Sequence, residues 1–396
     1  MLRVAHVFRF GGKHICCALQ SAKPKCALLC FLQALESRHA IILAQHDAQA
    51  SPSDMISHTT LAALPKIELH RHLEGSLRLT TLLEVAREFK LDLPTHDIDA
   101  LRAYVQITDE GGDFRTFLSK FGYLRKFYQS REVIQRFAYE AVADAAADNV
   151  RYLELRFTPM ALARVQNFPL EDVTDWVIEA VDEAQRAFPV KVKLIVSLNR
   201  HEDVSIGQRA TRIAIENMSR GVVGLDLAGD EANYSAEPFA WLFHQAREAG
   251  LGITIHAGEW AVCENVRYAI EKLGAARIGH GVRVVEDSEI LKLARERQTT
   301  FEVCVTSNVQ SGVVQRFVDH PVRTMFDMGL QVTLNTDDPS VSDITLTDEI
   351  NIVAASLSFE MADLKKMTLC AAEASFLPED EKRTLVEEFK TGLAKL

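Results

Sequence analysis

No two cysteines are spaced Cys-x-x-Cys, and no Gly-x-Gly-x-x-Gly or Gly-x-x-x-x-Gly-Lys-[Ser/Thr] loop follows any strand-like run. These absences exclude the simplest thiolate zinc spacing and the phosphate-cradling loops of nucleotide-binding open sheets. The longest apolar run near the N-terminus, Ala27-Leu28-Leu29-Cys30-Phe31-Leu32, is too short to span a bilayer and lacks a clean small-residue cleavage site. Basic charge is in deficit, with 44 Lys and Arg against 55 Asp and Glu and a net charge of −11. That balance argues against a phosphate-tracking nucleic-acid binder, although a neutral heterocycle is compatible with it. Seven cysteines without regular spacing, four of them at Cys16, Cys17, Cys26 and Cys30, point to reduced thiols and a cytoplasmic protein. Cys304, inside Phe301-Glu302-Val303-Cys304-Val305, reads as a small buried hydrophobe.

What is present is an ordinary globular composition, 47% hydrophobic and 25% charged over 396 residues. Residues 1–54 stand apart, with three acidic residues and no clear period. A targeting peptide, a disordered tail and an upstream extension of a chain starting at Met55 are the three readings, and the last is favoured. The expected division is an N-terminal extension over 1–60 and a single barrel over 61–396.

From residue 61 onward, short apolar runs alternate with longer amphipathic ones. Strands are predicted at Ile67–His72, Val150–Phe157, Val190–Ser197, Val222–Leu227, Gly252–His256, Arg277–His280, Thr300–Val305 and Gln331–Thr336. Each is nearly continuous in apolar residues, as in a parallel sheet buried on both faces. Helices between them, such as Asp172–Ala187, Glu237–Ala249 and Asp287–Arg297, carry their charges on one face. Eight such repeats predict a (β/α)8 barrel, with a helical insertion over 77–149 that sits on the C-terminal face of the barrel as a candidate lid. A doubly wound open sheet is the runner-up and lacks its phosphate loop.

In a barrel, polar residues at strand C-termini mark the catalytic face. The first strand ends in His70-Arg71-His72, and residues two apart on a strand share a side. The fifth ends in His256-Ala257-Gly258-Glu259, the sixth in Gly279-His280-Gly281 and the eighth in Asp337-Asp338-Pro339. Singly, each has a bland explanation: exposed histidines, a hydrogen-bonded core histidine, a helix-capping Asp pair. Together, His70, His72, His256 and Asp337 make a nitrogen-rich set suited to one zinc ion with room for a water. Glu259 and His280 supply proton-transfer groups beside it. Arg156 is expected as a buried ion-pair partner beneath the site, and His201 as a solvated loop histidine at the rim. Phe114, Phe117 and Phe121 repeat as a helix core face, from which one ring could reach the pocket. His320-Pro321 reads as a turn before a helix.

These residues lie in segments that resemble the adenosine deaminase family. The segments are Leu64-Pro65-Lys66-Ile67-Glu68-Leu69-His70-Arg71-His72-Leu73-Glu74-Gly75-Ser76, Asp226-Leu227-Ala228-Gly229-Asp230-Glu231, His256-Ala257-Gly258-Glu259, Gly279-His280-Gly281, Thr306-Ser307-Asn308, Thr336-Asp337-Asp338-Pro339 and Ala374-Ser375-Phe376-Leu377. They occur in order across about residues 61–390. The resemblance implies zinc on His70, His72, His256 and Asp337, a hydroxide attacking purine C6, Glu259 donating a proton to N1, and His280 orienting the hydroxide. It also implies substrate contacts from His72, Glu74, Asp338 (toward N7) and the Gly229 N–H (toward N3).

Two departures from the family pattern stand out. Members acting on adenosine often carry Asp where this chain has Glu74, and His-Leu-Glu-Gly is frequent in members acting on adenine. The stretch Asp338-Pro339-Ser340-Val341-Ser342 is closer to the adenosine type. Cys304-Val305 stands where many members have Cys-Pro. The signature of nucleic-acid zinc deaminases, His-x-Glu with Pro-Cys-x-x-Cys, is absent. The implied reaction is hydrolysis of adenosine, and of deoxyadenosine with it, to inosine and ammonia. Adenine or another 6-aminopurine is the alternative substrate, and the acidic Glu74 disfavours a 5′-phosphate. The non-enzymatic alternative is a catalytically idle homologue that binds nucleosides or signals. The expected partner is a small purine, with neither nucleic acid nor membrane.

Overall fold

The computed structural model describes residues 9–10, 13–14, 56–108 and 112–395. Arg9–Phe10 and Lys13–His14 form a short antiparallel pair. The remaining readings of the N-terminal extension, including the start at Met55, lie outside the described residues. Residues Pro52–Leu396 form one compact unit.

Eight strands alternate with helices in that unit: β1 Lys66–His72, β2 Val150–Phe157, β3 Lys191–Asn199, β4 Val222–Ala228, β5 Gly252–Ala257, β6 Arg277–His280, β7 Thr300–Val303 and β8 Gln331–Leu334. Each strand pairs in parallel with the next in sequence. This is the predicted barrel, with strand positions within two residues of expectation at every boundary. β7 ends two residues early. The apolar Cys304-Val305 turns instead into the helix Val305–Gln310, because the buried Glu349 carboxylate accepts the Thr306 N–H at 3.1 Å and so caps the new helix. Cys304 itself is buried, as expected.

β8 and β1 share no regular ladder. The seam is closed by side chain and turn: Asn335 Oδ1 accepts Leu69 N–H at 2.8 Å and His70 N–H at 3.2 Å. Just above, Asp337 N donates to His70 O at 3.0 Å while its carbonyl accepts His72 N–H at 2.8 Å. Two metal-capable strand ends are therefore stitched to each other through their backbones.

Ile67, Leu69 and Tyr152 of the sheet pack against Ala371, Ala372, Leu377, Leu385, Val386 and Phe389 near the C-terminus. Inside, the barrel is charged rather than aliphatic. Glu68, Glu154, Arg156, Asp226, Arg277 and Glu302 are all 0–1% exposed, and charges buried that deeply must be paired. Arg277 meets Glu154 and Glu302 at 2.6 Å each, and Arg156 meets Glu302 at 2.7 Å and Asp226 at 3.4 Å. The guanidinium of Arg277 also stacks on Phe376, 3.6 Å from its centroid, which gives Ala374-Ser375-Phe376-Leu377 its place beneath the barrel.

The insertion holds the helices Leu79–Glu88, Ile98–Val105, Phe114–Leu124 and Arg131–Ala147. It docks on the turn after β8 through Ile107 N to Val341 O and Gln106 Nε2 to Ser340 O, both 2.8 Å, and so lies at the C-terminal end of the strands. Among the described residues no helix is long and apolar enough to cross a membrane.

Candidate active site and metal centre

β1, β5 and β8 deliver their terminal side chains to one point. His72 Nε2 lies 3.3 Å from His256 Nε2 and 3.4 Å from Asp337 Oδ1, and His70 Nε2 lies 3.1 Å from the same carboxylate oxygen. Three imidazole nitrogens and one carboxylate oxygen thus crowd one buried space. His70 Nε2 is buried without a hydrogen-bond partner. An orphaned nitrogen among such donors is what a cation would satisfy: His70, His256, His280 and Asp337 each offer one ligand atom within 4.8 Å of the others and could hold a metal ion, with His72 Nε2 adjoining His256 and Asp337. His280 comes close as well, with its ring 4.9 Å from that of His70.

The outward nitrogens of the histidines are tied down. His70 Nδ1 meets Glu302 at 2.8 Å and His256 Nδ1 meets Asp226 at 3.0 Å, which leaves each Nε2 free to face inward. Arg156, fully buried as an ion-pair partner, links these two carboxylates. Ser307 Oγ donates to Asp337 Oδ2 at 2.7 Å. Room for this crowding comes from Gly279, where a Cβ would sit 2.9 Å from His70 Cε1. Asp337 and His280 adopt left-handed φ values of 63° and 60°, a conformation that costs on the order of 1 kcal/mol or more in non-glycine residues and clusters at functional sites.

Glu259 sits at the end of β5, with its carboxylate 3.6 Å from His280 Nε2. Burial pushes its carboxyl well above the usual range, and the charges of Asp337 and Glu231 push the same way. The turn that carries Glu259 is fixed by hydrogen bonds. The Glu231 carboxylate accepts the N–H groups of Gly258 at 2.7 Å, Glu259 and Trp260 at 3.0 Å and Ala261 at 3.3 Å, and Asn265 Nδ2 at 2.9 Å. Arg200 supports the same strand end through His256 O. Glu231 closes the Asp226–Glu231 motif without a role legible from spacing, because a side chain that acts through backbone amides leaves no signature there.

Glu74, Tyr128 and Asp338 form a neighbouring buried group. Glu74 Oε1 accepts the Thr158 N–H at 2.6 Å, whereas Glu74 Oε2, Tyr128 OH and Asp338 Oδ1 are buried without hydrogen-bond partners. Burial pushes the Glu74 carboxyl up to about 7, and it raises Asp338 strongly, with Asp337 and Glu74 adding repulsion. Asp338 lies against Gly75 so closely that a Cβ there would fall 1.9 Å from its Oδ1. Tyr128 is the residue the sequence did not single out. Gly229, at φ 90°, directly follows β4 and lies beside Asn199 and the exposed His201. Of the phenylalanine triplet, Phe117 is core, while the ring of Phe114 packs 5.6 Å from that of Trp260, next to Glu259.

The chain is similar in sequence and fold to known proteins. The adenosine deaminase family model matches residues 65–391. The adenosine deaminase of Klebsiella pneumoniae is 37% identical over 334 residues, which is 84% of this chain and 99% of that relative. Among solved structures, the adenine deaminase of Arthrobacter aurescens superposes with a TM-score of 0.77 at 26% identity, covering 84% of this chain and 99% of that one. An amidohydrolase from Burkholderia ambifaria with bound zinc does so with a TM-score of 0.77 at 26% identity, covering 88% and 98%. A match that runs from the first barrel strand into the last helix, with a relative aligned along nearly its whole length, means that this chain belongs to the adenosine deaminase family.

Proposed function

We propose that this chain is a zinc-dependent hydrolase that converts adenosine, and deoxyadenosine with it, to inosine and ammonia. The observation that carries the reading is the convergence of His70, His72, His256 and Asp337 on one buried point with Glu259 and His280 beside it. Those first four residues would hold the ion, which when bound supplies Lewis-acid charge and lets a water ionise at about pH 7. Glu259, held protonated by burial, gives its proton to N1 of the purine and so draws electrons away from C6. Oxygen from water adds at C6; one of the water's protons restores the Glu259 carboxyl and the other passes to the exocyclic amine, which leaves as ammonia as the tetrahedral carbon collapses. His280 steadies the incoming oxygen, Asp338 in its protonated form donates toward N7, and the Gly229 N–H faces N3. Free thiols at Cys263, Cys304 and Cys370 fit a reducing, cytoplasmic compartment.

Two substrate readings remain, and one observation separates them. Glu74 is shared with adenine-type members, but Glu74 Oε2 is buried and unpartnered. A ribose hydroxyl would satisfy it; a free base would leave it orphaned at a cost of about 1–3 kcal/mol. The test is turnover of adenine, adenosine, deoxyadenosine, 5′-methylthioadenosine and AMP, followed by absorbance loss and ammonia release. Adenosine should show the highest kcat/KM and AMP the lowest, since its phosphate would meet Glu74. Adenine as the best substrate would transfer the assignment to the free base, and no turnover at all would favour an idle nucleoside-binding homologue.

A further inference from the structure

Distance alone leaves the choice of metal ligands open. One ligand atom each from His70, His256, His280 and Asp337 lie within 4.8 Å of one another, so His280 competes geometrically with His72 for the fourth place. A nitrogen that carries hydrogen cannot ligate a metal. The tautomer of His280 therefore decides its role, and the buried groups behind it determine that tautomer.

His280 Nε2 faces the pocket, 3.6 Å from Glu259 and 3.9 Å from Asp337 Oδ2. Its Nδ1 turns away and lies 3.1 Å from Asn308 Nδ2. Asn308 Oδ1 lies 3.2 Å from His320 Nε2, and His320 Nδ1 lies 3.1 Å from the backbone nitrogen of Val322. All three side chains are buried.

The far end of this chain has a single solution. A backbone N–H can only donate, so His320 Nδ1 is an acceptor and the ring hydrogen of His320 is on Nε2. Burial keeps that imidazole neutral by pushing its pKa down to about 3. His320 Nε2–H then needs an acceptor, which orients the Asn308 carbonyl toward it and the Asn308 amide NH2 toward His280. That NH2 donates to His280 Nδ1, so the only ring hydrogen of His280 is on Nε2.

We propose that Asn308 and His320 are positioning residues that hold His280 as its Nε2–H tautomer, making it a hydrogen-bond donor into the pocket and leaving the metal to His72. The inference rests on the deaminase reading for its chemistry, although the tautomer itself can be read in protein that turns nothing over. Sequence spacing gave His320 only a turn before a helix; the fold brings it 12 residues back onto Asn308.

The test is long-range 1H–15N NMR of histidine-labelled full-length protein, metal-free and zinc-loaded, with His280→Ala to assign the resonance. Wild-type protein should show protonated Nε2 and bare Nδ1 at His280 in both states. Asn308→Asp presents a carboxylate to both imidazoles, so His280 Nδ1 should become protonated while His320 is unchanged. With that switch, kcat should fall roughly tenfold or more, as misdirected hydrogen-bond and proton-transfer groups do, with KM and zinc stoichiometry held. In His320→Gln the side-chain amide still donates to Asn308, and the Nε2–H tautomer should be retained. A bare Nε2 at His280 in zinc-loaded wild-type protein overturns the inference even if neither variant folds, and so does an unchanged tautomer in folded Asn308→Asp. The expected tautomers with no turnover on the purine panel would sink the function and leave the relay standing.

Discussion

The two sides of the pocket are built on opposite principles. On the metal side, the outward nitrogens of His70 and His256 rest on Glu302 and Asp226, and Asp337 rests on Ser307. On the other side, where the proposed substrate would sit, Glu74 Oε2, Tyr128 OH and Asp338 Oδ1 are buried and have no hydrogen-bond partner. A desolvated polar group without a partner costs free energy that a satisfied one does not. The histidine side is accordingly pre-organised for the proposed ion, and the other side holds an unmet demand that a ligand with several hydroxyl and ring-nitrogen groups would meet.

Three substitutions test that contrast. Glu259→Gln, where the two sides meet, should lower turnover by roughly a hundredfold or more with metal still bound. Turnover near normal, with metal content measured in parallel, would remove Glu259 from its role. Asp226→Asn, on the braced side, should weaken metal affinity by roughly ten- to a hundredfold, as loss of a ligand's supporting carboxylate does, which competition with a chelator reads directly. Tyr128→Phe, on the unbraced side, should have the smallest effect and the opposite sign for stability. It should raise KM up to about tenfold, corresponding to one lost hydrogen bond, while leaving the Tm of the free protein unchanged or higher, because an unsatisfied hydroxyl has gone. A clear drop in Tm for Tyr128→Phe would mean that the hydroxyl is satisfied in the free protein, and the contrast would fail on that side.

The same contrast separates what was legible in the sequence from what was not. His70, His72, His256, Glu259, His280 and the Asp337-Asp338 pair stood out because polar residues ended apolar runs, and the barrel turns strand ends into a shared face. Glu302 and Asp226 carried a readable sign as well, each a lone charge inside an apolar strand, and such a charge must be partnered. Their particular partners were not readable, because pairing across a barrel depends on register between strands far apart in sequence. Glu231 and Tyr128 were out of reach for different reasons. The first works on backbone amides, and the second arrives from the insertion, whose docking no local period encodes. The early end of β7 was missed because the carboxylate that caps the next helix belongs to Glu349, 43 residues away.

The seam between β8 and β1 would make the proposed metal more than a reagent. Asp337 offers Oδ1 to the pocket and, with the same residue's N–H and carbonyl, joins His70 and His72 across the edge where the sheet has no ladder. An ion held by these three residues fastens that edge from its polar side, so whatever free energy it gains by binding the closed barrel is added to the resistance of the barrel to opening. Reciprocity then runs both ways: a change that loosens the seam, even one far from any ligand atom, lowers affinity for the ion by as much as loss of the ion loosens the seam.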